Sequence, residues 1–291
     1  MMRLALITVV ALLMFVGAAS ANFLETELGA RAMGMGGAFV AVADDVTALH
    51  WNPAGLAGLE GVQVFGMRTS VYSVDGLSED AALVSYGTGC RGFGMGWMRT
   101  GAEDLYHEDT LVAGAGMELP MDGMNAGFAF KRFSVEAPGY DYYNDPAFDS
   151  DGDAAFAADL GLLYRSGRWS AGGTLRNIGS PELQLISTTE DPDPVPTEFR
   201  LGGTYLFRDV MLMTVEWRAP TDVPEFYENQ YSVNLGTEVW FYEAFALRAG
   251  MNRDRITAGL GMRTKHVQLD VALLSERRIG SLYRVSAIFL W

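Results

Sequence analysis

The sequence predicts an all-β fold: a transmembrane, antiparallel, up-and-down β-barrel of about fourteen strands, with an N-terminal hatch in its lumen. Three observations carry this prediction. The chain of 291 residues is 49% hydrophobic, yet after residue 18 no apolar run approaches the length of a transmembrane helix. Beyond Val62, amphipathic segments with strand-like alternation recur about every ten to fifteen residues. The links between these segments alternate between short and long.

The first 21 residues are interpreted as a cleavable signal peptide. Arg3 gives a positive start, residues 4–16 form an apolar core, and residues 19–21 (Ala-Ser-Ala) form a small-residue cleavage site. The apolar core is short for a membrane-spanning anchor. We therefore expect an exported protein whose mature chain begins after Ala21.

Charge and cysteine content exclude several classes of function. The chain carries 36 acidic and 21 basic residues, a formal net charge of −15. This balance argues against a nucleic-acid partner and against attachment through anionic lipid. The single cysteine, Cys90, excludes an internal disulfide and a cysteine-based metal cluster. These features are typical of a bacterial envelope protein stabilised by its strand ladder.

The last strand shows the alternation most clearly. One face carries Arg284 and Ser286, and the other is apolar, consisting of Tyr283, Val285, Ala287, Phe289 and Trp291. A chain that stops on an aromatic residue resembles the C-terminal signal that the barrel-assembly machinery reads. The same pattern predicts strands near residues 62–72, 79–87, 91–100, 109–119, 123–135, 153–165, 168–178, 197–207, 210–218, 229–241, 244–252, 255–263, 266–275 and 281–291.

The link lengths provide an independent argument for a barrel. Alternate links are short, at residues 87–91, 119–123, 165–168, 207–210, 241–244 and 263–266. The longest of the intervening links are residues 137–153 and 179–196. Outer-membrane barrels have short periplasmic turns and longer outer loops. An even number of strands leaves both chain ends on the periplasmic side.

A segment rich in glycine and alanine, residues 29–59, precedes the first predicted strand. It is too apolar for a solvated linker and too irregular for one helix or strand, which favours packing inside the barrel. It contains G-x-R-x-x-G-M-G-G-A-F, the acidic pair Asp44-Asp45 and the tripeptide at residues 52–54 (Asn-Pro-Ala). These residues resemble the N-terminal region of the FadL and PorV-like outer-membrane proteins, and fit the PorV/PorQ branch somewhat better.

The resemblance implies a domain order and a hatch site. Residues 1–21 are expected to be the signal peptide, 22–61 a periplasmic or lumenal hatch, and 62–291 the barrel. The hatch motif comprises Gly34, Gly36, Gly37, Asp44, Asp45, Asn52, Pro53 and Ala54. Apolar residues beside the tripeptide would either line a ligand pocket or simply pack, and these are Leu49, Trp51, Leu56 and Leu59.

Charged residues on the inward faces of the strands form the third predicted group. Buried charge must be paired, so most of them are expected to form a network that stiffens the barrel and clasps the hatch. A residual positive surface lining an anion path is the alternative. The predicted network comprises Arg165, Arg176, Arg200, Glu216, Arg218, Glu238, Arg248, Arg263, Asp270 and Arg284.

No arrangement of residues favours catalysis, a metal or a cofactor. The histidines His50, His107 and His266 are far apart and lack metal-ligand spacing. The acidic stretch 149–153 resembles a calcium loop, but its glycine stands at the fourth position rather than the sixth. We therefore expect a solvated turn there, no bound metal or cofactor, and no enzyme activity.

Two functions follow from the resemblance. The first is passive transport of hydrophobic small molecules across the outer membrane through a hatch-gated barrel. The second is a non-transporting barrel that binds secreted proteins in a type IX-like secretion system. The expected partners are outer-membrane lipid, the barrel-assembly machinery through the strand ending in Trp291, and a hydrophobic small molecule or a secreted protein, with no nucleic acid.

Overall fold

The computed structural model describes residues 27–70, 76–102, 105–137, 152–184, 193–221, 231–276 and 280–291. The predicted signal peptide, residues 22–26 of the predicted hatch and residues 149–151 of the acidic stretch lie outside the described residues. Within the described ranges, no helix is long and apolar enough to cross a membrane.

Fourteen strands of the described chain close into one antiparallel barrel. They are β1 Glu60–Ser70, β2 Leu77–Thr88, β3 Arg91–Ala102, β4 Tyr106–Glu118, β5 Met124–Glu136, β6 Gly152–Ser166, β7 Trp169–Ile178, β10 Glu198–Phe207, β11 Met211–Pro220, β12 Ser232–Phe241, β13 Phe245–Asn252, β14 Arg255–Arg263, β15 Val267–Glu276 and β16 Gly280–Leu290. Two short strands, β8 Glu182–Leu183 and β9 Asp193–Pro194, pair as a separate hairpin in the link between β7 and β10.

The barrel closes where the first strand pairs with the last. The register runs from Gln63 opposite Leu290 to Ser70 opposite Tyr283. The predicted fold class and strand number are thereby confirmed. Two boundaries differ by three residues. β4 begins at Tyr106 rather than at 109, because its ladder with β3 continues to Ala102, and β12 begins at Ser232 rather than at 229.

Tight turns join the strands at the end where the sequence predicts short links. Arg208 and Asp209 have φ of 51° and 61°, and Tyr242 and Glu243 have φ of 52° and 54°. Two successive residues with positive φ form the type I′ turn, whose twist matches that of the flanking strands. These turns account for two of the short links, at residues 207–210 and 241–244.

Burial alternates along the strands with a period of two. In β16, Arg284, Ser286 and Ile288 are buried, whereas Tyr283 and Phe289 are exposed. The outward face is largely apolar and includes exposed aromatic residues, among them Phe93, Phe130, Phe156, Trp169, Phe207, Trp217 and Trp291. This apolar-out alternation is the pattern of an outer-membrane barrel.

The ladder between β6 and β7 is interrupted towards the outer loops. Ala158 pairs with Ile178 and Leu160 with Leu175, so Asp159 faces two residues of β7 rather than one. This irregularity is a β-bulge, and bulges end or redirect strand pairing. Beyond it, β7 ends while β6 continues to Gly152.

Candidate functional site

The candidate site is the contact between the N-terminal segment, defined as residues 27–59, and the inward face of the barrel. The segment contains helix α1 (Ala30–Gly34), helix α2 (Ala48–Trp51) and a 3₁₀ helix (Pro53–Gly58). Helix α1 contacts β13 to β16, and the 3₁₀ helix contacts β2 to β6 on the opposite wall. Its larger side chains, such as Phe39 and Trp51, have no exposed surface.

Inward glycines of the barrel allow this close contact. A Cβ atom on Gly236 would lie 2.3 Å from the Met35 carbonyl oxygen, and one on Gly172 would lie 2.4 Å from the Val40 carbonyl oxygen. Such distances are shorter than any real Cβ contact. The absence of a side chain at these positions therefore lets the two backbones meet.

The glycines of the hatch motif allow the same close packing from the side of the N-terminal segment. Gly36 and Gly37 have φ of 66° and 69°, a conformation that favours glycine. A Cβ on Gly36 would lie 2.4 Å from the Leu235 carbonyl oxygen, and one on Gly34 would lie 3.1 Å from the Cα of Gly259. Because a Cβ on Gly36 would also lie 2.6 Å from the Met251 carbonyl oxygen, the motif meets barrel backbone directly on three strands, β12, β13 and β14.

The first half of the N-terminal segment, residues 27–45, contains helix α1 and several turns, and other groups of its backbone bond barrel side chains. Four barrel hydroxyls bond its N–H or C=O groups at 2.7–3.1 Å: Ser286 with Ala30, Thr257 with Gly36, Thr214 with Ala38, and Ser170 with Ala41. Three arginines donate to its carbonyls: Arg284 to Glu27, Arg218 to Gly37, and Arg165 to Val42 and Ala43. Because a buried, unpaired backbone group is costly, this path depends on the barrel.

Glu216 is a further barrel side chain that bonds the backbone of the segment. Its carboxylate is fully buried, and its Oε2 atom accepts from the N–H groups of Phe39 and Val40 at 2.8 Å each. Its Oε1 atom accepts from Arg218 Nε at 2.8 Å. A single carboxylate thus bonds the backbone of the segment and neutralises an arginine on the same strand.

Arg31 is the charged centre of the first half. Its guanidinium bonds Glu238 of β12 and both members of the acidic pair, Asp44 and Asp45, at 2.5–3.0 Å. Burial alone would lower the pKa of Arg31, but these carboxylates raise it well above its usual value. Glu238 also binds Arg248 at 2.7 Å. The acidic pair therefore connects to the barrel through Arg31.

The second half, residues 46–59, meets its backbone requirements mainly by itself. Its helical turns include the bonds from Trp51 N to Thr47 O and from Asn52 N to Ala48 O. Its apolar side chains pack against inward-facing apolar residues of the barrel, including Leu83, Val112, Ala129 and Leu163. The four predicted ligand-lining residues, Leu49, Trp51, Leu56 and Leu59, are between 0% and 3% exposed and lie in close packing.

Asn52 ties the two halves and the barrel together. Its Nδ2 atom donates to Val40 O at 2.9 Å and to Leu162 O of β6 at 3.0 Å. Its Oδ1 atom accepts from Ala54 N at 3.2 Å, and Pro53 begins the 3₁₀ helix at the position where a missing N–H is tolerated. The tripeptide therefore caps the 3₁₀ helix, forms a turn, and links the two halves of the segment to β6.

A second set of charged side chains extends across five strands, with positive and negative groups alternating. The ion pairs run from Lys131 to Asp159, Arg176, Glu198, Arg200, Glu216, Arg218 and Glu27, with each neighbouring pair within 3.9 Å. Arg176 Nη2 also lies 3.3 Å from His50 Nε2. Burial, followed by the nearby Arg176 and Lys131, lowers the pKa of His50 well below its usual value, so His50 is a neutral acceptor.

Most of the predicted network lies in these contacts, with differences at two arginines. Arg248 also binds Asp270 at 2.8 Å, and Arg284 bonds Thr69 and Glu79. Arg165 bonds backbone carbonyls of the segment. Arg263 is exposed at the end of β14 and stacks over Trp240 at 4.2 Å, away from the ion pairs.

Sequence reasoning missed several contributors to the site. Lys131 and Glu79 lie on the inward face, and Thr214 and Thr257 bond the segment directly. The alternation of β5 already placed Lys131 opposite the apolar face, so its burial was accessible from the pattern. The hydroxyls gave no comparable signal, because threonine is common on either face of a strand.

Comparison with protein families gives one match over more than half of the chain. A family described as "Type IX secretion system membrane protein PorP/SprF" matches residues 121–285. Among curated protein sequences, none matches the chain.

Solved structures share the fold at low sequence identity. The toluene transporter TodX of P. putida aligns with a TM-score of 0.65 and 13% identity, covering 91% of this chain and 98% of TodX. The CymD monoaromatic hydrocarbon channel gives 0.63 and 14%, covering 91% and 97%. The Ralstonia pickettii toluene transporter TbuX gives 0.58 and 15%, covering 90% and 96%. This similarity concerns the fold alone.

Proposed function

Because the chain belongs to the PorP/SprF family of type IX secretion system membrane proteins, we propose that it is an outer-membrane component of such a system and acts by binding other proteins. This function requires no covalent chemistry. The barrel anchors the protein in the outer membrane, and its outer end presents the partner surface.

The observation that supports the proposal is the close contact of the N-terminal segment with the inward face of the barrel. Its backbone is bonded by barrel side chains from β6 to β16, and its apolar half is packed against β2 to β6. Breaking one partner of a buried ion pair costs about 3–5 kcal/mol. Two such pairs, Arg31–Glu238 and Arg218–Glu27, join the segment to the barrel, together with many hydrogen bonds and buried apolar contacts. Such a segment favours a fixed plug, and a fixed plug favours a role in binding over a role in conduction.

In this proposal, residues 22–61 act as a permanent hatch and residues 1–21 direct export and are removed. The final strand, which ends at an exposed Trp291, is the segment recognised by the barrel-assembly machinery. The long links on the outer side then contact secreted proteins. Each of these roles extends the resemblance of the sequence to this superfamily.

Passive transport of hydrophobic small molecules is the second candidate. Its support is the similarity of about nine-tenths of the chain to the folds of hydrocarbon transporters. A transport mechanism would need the segment to shift, so that Leu49, Trp51, Leu56 and Leu59 come to line a pocket. These side chains are closely packed in the present arrangement.

The test compares two phenotypes in one deletion strain. Cells without the gene should fail to display type IX cargo on their surface, and the wild-type gene should restore it. The same cells should take up labelled toluene and a labelled long-chain fatty acid as fast as the parent strain. Normal cargo display together with slowed uptake would instead assign the protein to transport.

A further inference from the structure

A row of charged side chains crosses the outward face of β1 to β4 near the outer end of the barrel. Arg68 lies opposite Asp80, Asp80 opposite Arg99, and Arg99 opposite Asp109. Each is an even number of residues from the exposed apolar positions of its own strand and therefore faces outward. The three ladders continue for two or three further pairs beyond the row, so the row lies within the described wall.

The row marks the outer limit of the apolar face. At the next outward positions towards the periplasm stand Gly66, Ala82, Trp97 and Leu111, which lie opposite one another in the same order. The Nε1 atom of Trp97 donates to Asp109 Oδ1 at 2.6 Å. A tryptophan that holds its ring in the apolar layer and its N–H towards a polar group is typical of the membrane interface. The charged row therefore lies at the level of the lipid headgroups.

A cavity of about 580 Å³ lies along this row. The residues that line it include Arg68, Asp80, Trp97, Arg99 and His107, all of which occupy outward positions. His107 is 6% exposed, and its Nδ1 atom has no hydrogen-bond partner among the described residues. A buried polar atom of this kind needs a partner from a bound molecule or from water. The cavity therefore combines a position at headgroup level with a polar atom that a ligand can bond.

The two arginines of the row differ in their contacts with the neighbouring carboxylates. Arg99 bonds Asp109 through two contacts of 2.8 Å. The Nη1 atom of Arg68 lies 3.6 Å from Asp80 Oδ1, and the Arg68 side chain is 77% exposed. An arginine binds a phosphate group through two parallel hydrogen bonds, and the carboxylate of Asp80 beside it can accept from hydroxyl groups. The Arg68–Asp80 pair therefore suits a headgroup that carries both phosphate and hydroxyl groups.

Small side chains lie directly below Arg68 in the apolar face. Gly66 is opposite Ala82 of β2 on one side and Ala287 of β16 on the other. A Cβ atom added to Gly66 would meet no atom within 4 Å. The larger side chain of Trp97 lies beside Ala82 on the next strand. The wall therefore has room for an acyl chain that runs down from a headgroup on the charged row.

We propose that this lipid surface, defined as Arg68, Asp80, Gly66 and Ala82, binds an outer-leaflet lipid with a phosphorylated sugar headgroup. The phosphate binds Arg68, sugar hydroxyls donate to Asp80, and an acyl chain lies over Gly66 and Ala82. Position decides the occupant, because a site at headgroup level on the outward wall faces lipid and not the lumen. The proposal goes beyond the proposed function, since it concerns a bound lipid and not a partner protein.

The direct test uses lipid A, a phosphorylated glucosamine lipid, and the purified full chain in a neutral detergent. Native mass spectrometry measures the lipid retained per chain as lipid A is titrated. We expect saturable retention, and we expect Arg68→Gln to weaken it about tenfold, because the substitution removes charge-assisted hydrogen bonds to phosphate. Lipid A without its phosphate groups should bind the wild-type chain about as weakly. Inorganic phosphate in excess should not displace lipid A, since the acyl chain makes contacts that free phosphate lacks.

Variants elsewhere on the barrel provide matched controls. Arg263→Gln removes an exposed arginine at the periplasmic end and should leave lipid A retention unchanged. Gly66→Leu fills the open position in the wall and should weaken retention, whereas Ala249→Leu, at an exposed outward position of β13, should not. Should a variant of the lipid surface fail to fold, lipid A without phosphate on the wild-type chain still tests the headgroup contact. Equal retention by Arg68→Gln and wild type, equal binding of phosphate-free lipid A, or displacement by inorganic phosphate would overturn the proposal.

The same variant distinguishes a lipid from a partner protein at this surface. If Arg68→Gln retains lipid A like wild type but lowers cargo display, the surface contacts a protein and the lipid proposal fails. If Arg68→Gln loses lipid A while gene deletion leaves cargo display unchanged, the lipid surface stands and the secretion role fails.

Discussion

The two halves of the N-terminal segment are held in the barrel by different kinds of interaction. Residues 27–45 follow an irregular path, and hydroxyls, arginines and Glu216 of the barrel bond their backbone. Residues 46–59 form short helical turns and present apolar side chains to β2 to β6. Both halves are packed in the barrel, Met33 and Phe39 included, but the first half is held in addition by many polar contacts to barrel side chains, whereas the second is held mainly by packing.

This difference indicates how the segment comes to be ordered. Outside the barrel, the first half would keep the internal bonds of α1 and its turns but lose the partners that barrel side chains give to the rest of its backbone. The second half keeps its internal turns and gains chiefly from burial of Leu49, Trp51 and Leu56. A substitution that affects the first half should therefore remove mainly hydrogen bonds and ion pairs, and one in the second half should remove mainly buried apolar contacts. The four variants below are chosen to separate these two contributions.

The largest loss is expected for Glu216→Ala, which removes the barrel carboxylate that bonds the polar half. This change leaves the N–H groups of Phe39 and Val40 unpaired and deprives Arg218 of its 2.8 Å partner. We expect the free energy of unfolding to fall by about 3–5 kcal/mol, measured by urea titration in lipid vesicles. Glu216→Gln keeps the shape and one acceptor and should lose less. Equal stability of Glu216→Ala and wild type would refute the claim that polar contacts to the barrel hold the first half in place.

Leu49→Ala tests the apolar half. The Leu49 side chain fits against inward glycines, with its Cδ atoms 3.3 Å from the Cβ position of Gly94 and 3.0 Å from that of Gly114. Truncation leaves a cavity that rigid barrel strands cannot fill, and we expect a loss of about 3 kcal/mol. The outward-facing Leu160, 53% exposed, provides the control: Leu160→Ala should lose much less in the same titration.

Asn52→Ala tests the link between the halves. The substitution leaves the carbonyls of Val40 and Leu162 without their amide donor and removes the acceptor for Ala54 N. We expect a loss of about 2 kcal/mol in unfolding free energy. Hydrogen exchange should accelerate at residues 39–54 and stay unchanged at β13 and β14. Faster exchange throughout the barrel would show that Asn52 supports the whole fold instead.

The smallest effect is expected for Arg263→Ala. Arg263 is exposed and stacks on Trp240 at 4.2 Å, a contact worth about 0.5–1 kcal/mol at an exposed site. Arg248→Ala, which breaks buried pairs to Glu238 and Asp270, is its matched comparison and should lose several times more. Similar losses for the two variants would place Arg263 in the buried network after all.

The period-two alternation predicted the barrel because burial depends on which face a residue occupies. It placed Arg284 and Asp270 inward, and both are buried. It also placed Arg263 on the inward face. Alternation does not show how far along the strand a residue lies, however, and Arg263 lies at the end of β14, beyond the packed segment. The acid–base chain from Lys131 to Glu27 needed strand register, which one sequence does not specify.

The path of the first half was beyond sequence reasoning for another physical reason. Its bonds join residues far apart in the chain, as between Gly36 and Thr257 or Phe39 and Glu216. No local periodicity accompanies such contacts. The Asn52-Pro53-Ala54 turn was foreseeable from local chemistry, because asparagine caps and proline restricts the backbone. Its donation to Leu162 O was not.

The central claim is that the N-terminal segment is a fixed part of the barrel interior. It is tested most directly by hydrogen exchange at the amides of Phe39 and Val40, which both donate to Glu216, in the wild-type chain in lipid vesicles. The account predicts that they exchange as slowly as amides of the β13–β14 ladder, with or without added toluene. Exchange orders of magnitude faster than the ladder, or acceleration by toluene alone, would contradict a fixed plug and indicate a gate.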